Sequence, residues 1–303
     1  DASHLWGQDA FETQDTLKAE LGKTVESACI GPSGEKLSLI SCIVTSNGAA
    51  AGRRGLGAVM GSKRLKAVAA RGTQKVSVAH SGVLDRLRRE HMADYRLPGP
   101  RGESAWDRRH KYGTGGTADL SALSGDSPVK NWGGIGIVDF PDVSSLTGDT
   151  VIADVISRGG CWHCPIGCEG RLKAGTGEYP YAEGTRRAEY ETLSSFGSLC
   201  LNNNLEAINM ATHLCNIYGL DTISAGSVIA FAIECYENRI INIEDTDGIE
   251  MTWGNHRAIV AMTEKLAKRE GFGDILADGV KVAAERIGKG AKPTEEFMEG
   301  GQM

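Results

Sequence analysis

The sequence predicts an α+β chain in which a front end of short strands and turns gives way to a mainly helical domain. Three observations carry this. Residues 24–72 hold three short runs, apolar or rich in β-branched residues, separated by Gly- and Pro-containing turns. From residue 149 onward apolar residues recur at helical spacing, in runs that begin and end on capping residues. The composition, 41% hydrophobic and 24% charged over 303 residues, is that of a globular protein with room for one large domain or two ordinary ones.

In the front end the expected strands lie in "TVESACIG", "KLSLISCIVT" and "LKAVAARG", punctuated by "GPSGE" and by a Gly/Ala-rich loop. "GVLDRLRREHMADYR" places Val83, Leu84, Leu87 and Met92 near helical spacing. Residues 98–136 are polar and Gly-rich, which predicts an irregular connection over the surface or over a site. "DTVIADVISRGG" (149–160) predicts a helix capped by Asp149 or Thr150 and stopped at Gly159-Gly160. "NLEAINMATHLCNIYG" sets Leu205, Ile208, Leu214 and Ile217 on one side, with Gly219 as its left-handed terminator. "DTISAGSVIAFAIECYEN" follows at once, with Asp221 placed to cap it, so the two form an αα-hairpin. "NHRAIVAMTEKLAKREG" and "GDILADGVKVAAERIG" predict a second hairpin, each helix closing on a Gly.

Charge and hydropathy exclude some functions. A net charge of -6 gives no electrostatic footprint for nucleic acid. The longest apolar runs, such as "VIAFAI" at 228–233, are too short to span a bilayer. No charged start followed by an apolar core marks a signal peptide, which points to the cytoplasm. The chain opens on Asp and stops in the polar stretch "EEFMEGGQM", so it reads as an internal piece of a longer protein.

Chemistry concentrates in "CWHCPIGC" (161–168), where Cys161, Cys164 and Cys168 follow a C-x2-C-x3-C spacing. A redox dithiol belongs at the end of a strand that opens a helix, whereas the pattern here predicts a helix and two glycines before the cysteines, and Cys168 would be left idle. A structural zinc site needs a second pair of ligands within the usual span, and none follows. Radical enzymes that cleave S-adenosylmethionine carry the reverse order, C-x3-C-x2-C. An iron–sulfur cluster held by a tight loop plus one remote cysteine stands ahead of these, with zinc second. Pro165 and Gly167 suit the turns such a loop needs. Cys215 and Cys235 sit among apolar neighbours in helical patterns and are expected to be buried packing residues.

Other segments narrow the field. "AAGRRGLGAVMGSKRLKAVAARG" (50–72), "CWHCPIGC", "AEYETLSSFGS" (188–198) and "CNIYGLDTISAG" (215–226) occur in one order, with "KYGTGGT" (111–117) and "SPVKNWGG" (127–134) between them. Together they resemble the aldehyde ferredoxin oxidoreductase family of tungsten-pterin enzymes, over essentially the whole chain. The resemblance implies that residues 1–80 are the end of the N-terminal tungstopterin cradle, that 81–290 form a mainly helical second domain, and that 291–303 begin a third. It implies two cofactors, a [4Fe-4S] cluster and a bis-pterin carrying tungsten or molybdenum. The cluster would take Cys161, Cys164 and Cys168, and its fourth cysteine would lie beyond Met303. The implied partners are ferredoxin and a small aldehyde, with no nucleic acid and no membrane, and the resemblance leaves room for a homodimer. Reduction of an aromatic acyl-coenzyme A on the same scaffold, or a non-catalytic metal-binding module, are the alternatives.

Site residues follow from the same resemblance, each beside a plainer role. Arg53 and Gly55 of the Gly-rich loop are implied pterin contacts, whereas composition alone describes a Gly loop with solvated arginines. Arg54 stands where many family members have a small residue. Asn216 and Asp221 occupy the family's D-x-x-G-L-D pattern, with Asn in the first place; an Asp after a Gly-terminated helix also simply caps the next helix. Glu189 and Glu191 of "AEYET" are the implied acid/base candidates, Glu189 favoured, against the plain role of helix-start charges.

Overall fold

The computed structural model describes residues 1–291 except Lys75, Pro100, Arg101 and Lys289. The front end begins with a helix that the strand pattern did not announce, α1 (Ala10–Leu21). Asp9 caps it, accepting from Phe11 and Glu12 N–H while Glu12 reaches back to the Asp9 N–H. Four short strands follow: β1 (Glu26–Cys29), β2 (Ile43–Thr45), β3 (Ala49–Ala51) and β4 (Ala67–Ala70). Two helices interrupt them, α2 (Pro32–Glu35) before β2 and α3 (Leu56–Ser62) before β4. The strands pair antiparallel in the order β3-β2-β1-β4, with Cys29 opposite Val44 and Ala67. Helix α1 closes one face of the sheet over Ala10, Cys29, Cys42 and Val44.

Next comes α4 (Ser81–Tyr95), the helix that the spacing predicts, although none of its residues is buried. The expected irregular connection is more ordered than its composition suggests. It holds α5 (Ala105–Tyr112), a 3₁₀ turn (Thr114–Thr117), α6 (Ala118–Ser124), a two-residue hairpin β5 (Pro128–Val129) and β6 (Gly134–Ile135), and α7 (Gly136–Asp139).

The helix expected over 149–160 is corrected by the structure. Only a short α8 (Gly148–Ile152) forms, capped by Thr147 rather than by Asp149 or Thr150. The chain then extends as β7 (Val155–Gly159), pairing antiparallel with β8 (Glu169–Leu172) across the cysteines. β-Branched Val155 and Ile156 favour that extended state. The cysteine stretch is therefore the tip of a β-hairpin, not a break between helices.

The remaining helices are α9 (Tyr190–Phe196), α10 (Leu205–Tyr218), α11 (Thr222–Glu237), α12 (His256–Lys268), α13 (Phe272–Leu276) and α14 (Val280–Ile287). Gly219 ends α10 at φ +75° and Asp221 caps α11, as the sequence predicts. The last predicted helix is split in two at Asp278-Gly279. Nine residues of α11, from Ala225 to Cys235, are buried on all sides, so it forms the centre of the main core. Ile40 of the front end joins that core, and Asp221 N–H donates to the Ile40 carbonyl at 2.9 Å while Cys42 N–H donates to the Gly219 carbonyl at 2.8 Å. The front end is thus pinned to the α10–α11 turn. Among the described residues, no helix is long and apolar enough to cross a membrane.

Candidate functional site

The α10–α11 turn, the β3–α3 loop and the start of α9 enclose an open cleft of about 310 Å³. Its lining includes Gly52 and Arg53 from the loop, Glu189 just before α9 and Glu191 in its first turn, Asn216 from the last turn of α10 and Asp221 at the start of α11. Five of the sequence-predicted site residues, spread from position 53 to 221, therefore share one space. The two helices that frame it approach closely: a Cβ on Gly226 of α11 would lie 2.6 Å from Ser195 of α9. Only a glycine permits this contact, which sets Asp221 and the two glutamates on facing helix starts.

Asp221 is buried, and its carboxylate accepts from Ile223 N–H and Ser224 N–H at 3.2 Å each and from Ser224 Oγ at 2.5 Å. Arg53 Nε lies 3.9 Å from its Oδ2, with the guanidinium partly exposed at the mouth. Asn216 is buried on the opposite wall, and its amide faces Gly48, where a side chain would press on it and on Arg186. Capping and cleft-facing roles coexist at Asp221.

Gly55, predicted to touch a cofactor, does not line the cleft. It starts α3 at φ +66°, and a Cβ there would strike the Leu39 carbonyl, so packing explains this glycine. Arg54 also stays off the cleft wall and takes φ +81°, a backbone state better suited to glycine.

The two glutamates differ. Glu189 Oε2 accepts from Thr114 N–H at 3.2 Å and from the Thr114 hydroxyl, and Oε1 accepts from Arg187 Nη2 at 2.9 Å. Thr114 in turn accepts from Tyr190 N–H at 2.9 Å. Glu191, two residues along, lines the cleft and is exposed; its backbone carbonyl accepts from Ser195 Oγ, and among the described residues no partner holds its carboxylate.

The cysteine hairpin lies next door. Cys164 N–H donates to the Cys161 carbonyl at 2.9 Å, and His163 (φ +56°) and Gly167 (φ +59°) turn the loop. Cys161 is exposed, and Cys164 and Cys168 are half-buried, whereas the other five cysteines are buried. Burial pushes the Cys29 thiol up to about 11 and Cys235 to about 12, so these are protonated packing residues. Among the described residues, no three Cys, His, Asp or Glu side chains converge to hold a metal ion. The donor set nonetheless suits a thiolate-bound cluster: three accessible thiols on one short, tightly turned loop.

Two residues outside the sequence predictions belong here. Arg186 lines the cleft and ion-pairs with Glu169 of β8. Buried Arg187 connects Glu189 to the carbonyl of Cys168 at 2.8 Å. Their signal was present as two arginines directly before "AEYET", in a chain where a buried arginine demands several acceptors.

Residues 1–72 match the model of the aldehyde ferredoxin oxidoreductase N-terminal domain, and residues 99–299 match that of the same family's domains 2 and 3. The chain belongs to the aldehyde ferredoxin oxidoreductase family. A tungsten-containing aldehyde ferredoxin oxidoreductase of Pyrococcus furiosus is 38% identical over 299 residues, covering 95% of this chain and 46% of the relative. The Thermococcus kodakarensis protein of that name is 35% identical over 95% of this chain and 46% of its own length. More distant is an aliphatic sulfonate oxidoreductase, WOR-like subunit, of P. furiosus, 28% identical over the same shares. Among solved structures, the active-site complex BamBC of benzoyl coenzyme A reductase, in complex with 1,5-dienoyl-CoA, superposes with a TM-score of 0.77 at 27% identity. That match covers 98% of this chain and 45% of the other. The chain thus spans about half the length of the family members it matches.

Proposed function

We propose that this chain is the part of a tungsten-dependent aldehyde:ferredoxin oxidoreductase that holds one side of a tungstopterin and three ligands of a [4Fe-4S] cluster. The observation that carries the reading is the shared cleft: Arg53, Glu189, Glu191, Asn216 and Asp221 meet there, beside the only accessible thiols among the described residues. Residues 1–80 would then complete the N-terminal cradle, 81–290 form the second domain and 291–303 begin the third; positions 292–303 lie outside the described residues. The fourth cluster cysteine is expected beyond Met303.

The residues fit such cofactors. Arg53 offers a half-exposed guanidinium for a pterin phosphate, beside a backbone that Gly48 and Gly52 leave bare. Asn216 and Asp221 offer acceptors to pterin N–H groups, Asp221 with its geometry already fixed by capping. Cys161, Cys164 and Cys168 would bind three irons. Tungstopterin, when bound, supplies the two-electron oxidation of aldehyde plus water to carboxylic acid, and the cluster passes the electrons singly to ferredoxin. The two protons released need a base. Glu189 is occupied by Arg187 and Thr114, so Glu191, which lines the cleft and is exposed, is the better candidate to accept one. This reverses the preference that the sequence alone suggested.

The likeness to benzoyl coenzyme A reductase favours a second reading, reduction of an aromatic acyl thioester, though its identity of 27% is below the 38% of the aldehyde enzyme. Metal analysis of the anaerobically prepared full-length protein tests both. Tungsten with about four irons per chain supports the redox readings, and aldehyde-dependent reduction of ferredoxin selects the first. Cys164→Ala should lose iron and the visible sulfur-to-iron absorption. Zinc alone, or unchanged iron in Cys164→Ala, overturns the assignment.

A further inference from the structure

Arg187 is 4% exposed and spends its donors on three separate elements. Nη1 donates to the Tyr112 carbonyl at the end of α5. Nη2 donates to the Cys168 carbonyl in the hairpin at 2.8 Å and to Glu189 Oε1 at the start of α9 at 2.9 Å. Gly113 closes over the guanidinium so tightly that a Cβ there would overlap it. The Nε–H is buried and has no acceptor. A planar guanidinium carries its donors on separate nitrogens in a fixed fork and so reaches acceptors on three elements at set angles; an ammonium has three donors on one rotating centre and no such fork. Such an arrangement is costly to build for stability alone, because it leaves a buried donor unsatisfied.

We propose that Arg187 is a positioning residue that locks the cysteine loop to the cleft glutamate and supplies the buried positive charge beside Cys168. This deepens the function proposed above and rests on it. Two effects follow. Mechanically, the Cys168 backbone is held in one place whether or not iron is bound, so the loop is pre-organised for its cofactor. Electrostatically, Arg187 offsets the Glu189 carboxylate, which the same nitrogen that bonds the Cys168 carbonyl holds at 2.9 Å. Without it, the added negative field disfavours the extra electron on a reduced cluster, and the cluster's reduction potential falls.

The test uses the full-length protein as wild type, Arg187→Met and Arg187→Lys. In protein stripped of iron, the alkylation rate of Cys168 is followed by mass spectrometry, with Cys161 as the exposed internal reference. In Arg187→Lys, which keeps a cation beside Cys168 and loses the forked bonds, Cys168 modification should speed by about tenfold or more; Arg187→Met also removes the charge that favours the thiolate, so it is read on the cluster potential. In iron-loaded protein, the cluster potential should drop in Arg187→Met and stay near wild type in Arg187→Lys, which keeps the charge and loses the fork. Should Arg187→Met fail to fold, Arg187→Lys alone decides the mechanical half, and Glu189→Gln, which removes the opposing charge, should raise the potential. Unchanged Cys168 reactivity in Arg187→Lys, or a cluster potential indifferent to both charges, overturns the proposal. Wild-type protein that takes up no iron would instead overturn the function on which it rests, while the alkylation arm still reports on the tie.

Discussion

At the scale of single residues, Glu189 and Glu191 show how far a sequence can take a candidate site. Both were legible as acidic residues of a motif, because residue type and order survive without a structure. Which one is free was not legible, since the answer depends on Thr114 and Arg187, and Thr114 lies 75 positions away. The difference makes a prediction. Glu191→Gln keeps the shape and removes the proposed base, so on that proposal turnover should fall by about 10²–10⁴-fold with tungsten content intact. Glu189→Gln should chiefly loosen the Arg187 and Thr114 contacts, seen as a lower melting temperature. Metal content and rate must be measured on the same sample. Near-normal turnover in Glu191→Gln with full metal would remove it from the chemistry. Gly55 teaches the converse: its position in a Gly-rich loop was plain, but whether it serves a ligand or the Leu39 backbone depends on what packs behind it.

At the scale of elements, the helices that carry their own signals were legible. Asp221 caps one and Gly219 ends another because each acts on its nearest neighbours in the chain. The cysteine hairpin was not, because β7 is stabilised by a partner strand on the far side of the cysteines, and a local pattern of Val, Ile and Ser fits either state. The split between α13 and α14 was hidden for a related reason: Asp278 turns out to serve Leu39 N–H and Arg269 rather than to continue a helix. The corner before α13 carries a pH prediction. Asp247 accepts from Phe272 N–H at 2.8 Å and pairs with Lys265 at 3.1 Å, and these hold its carboxyl below the usual range. A depressed folded-state value contributes stability above the unfolded value, about 3.9, and that contribution is lost as pH falls through the folded value. Chemical denaturation should therefore show Asp247→Asn less stable than wild type at pH 7, with the gap closing below about pH 3. A gap that persists unchanged at low pH would assign the loss to packing instead.

At the scale of the whole molecule, the mixture of short antiparallel strands and many helices was legible, and the mode of their joining was not. Part of it runs through Ile40 and the backbone of Cys42, Gly219 and Asp221, bonds between residues nearly 180 positions apart. No local pattern announces such contacts, since backbone groups are the same in every sequence.

One consequence remains in the placement of α11. Its first turn is part of the cleft, yet its middle has no face toward water. Amide protons there can reach solvent only when the entire core opens, so they should be among the slowest in the molecule to exchange with deuterium, at a rate that tracks global unfolding. Those of the cysteine hairpin tip should exchange orders of magnitude sooner. Fast exchange through residues 228–233 in otherwise folded protein would contradict this. The cleft wall formed by Asp221, Thr222 and Ile223 is thus the outer end of an element whose middle yields only when the whole fold does, so whatever is seated against that wall meets a surface backed by the most durable part of the molecule.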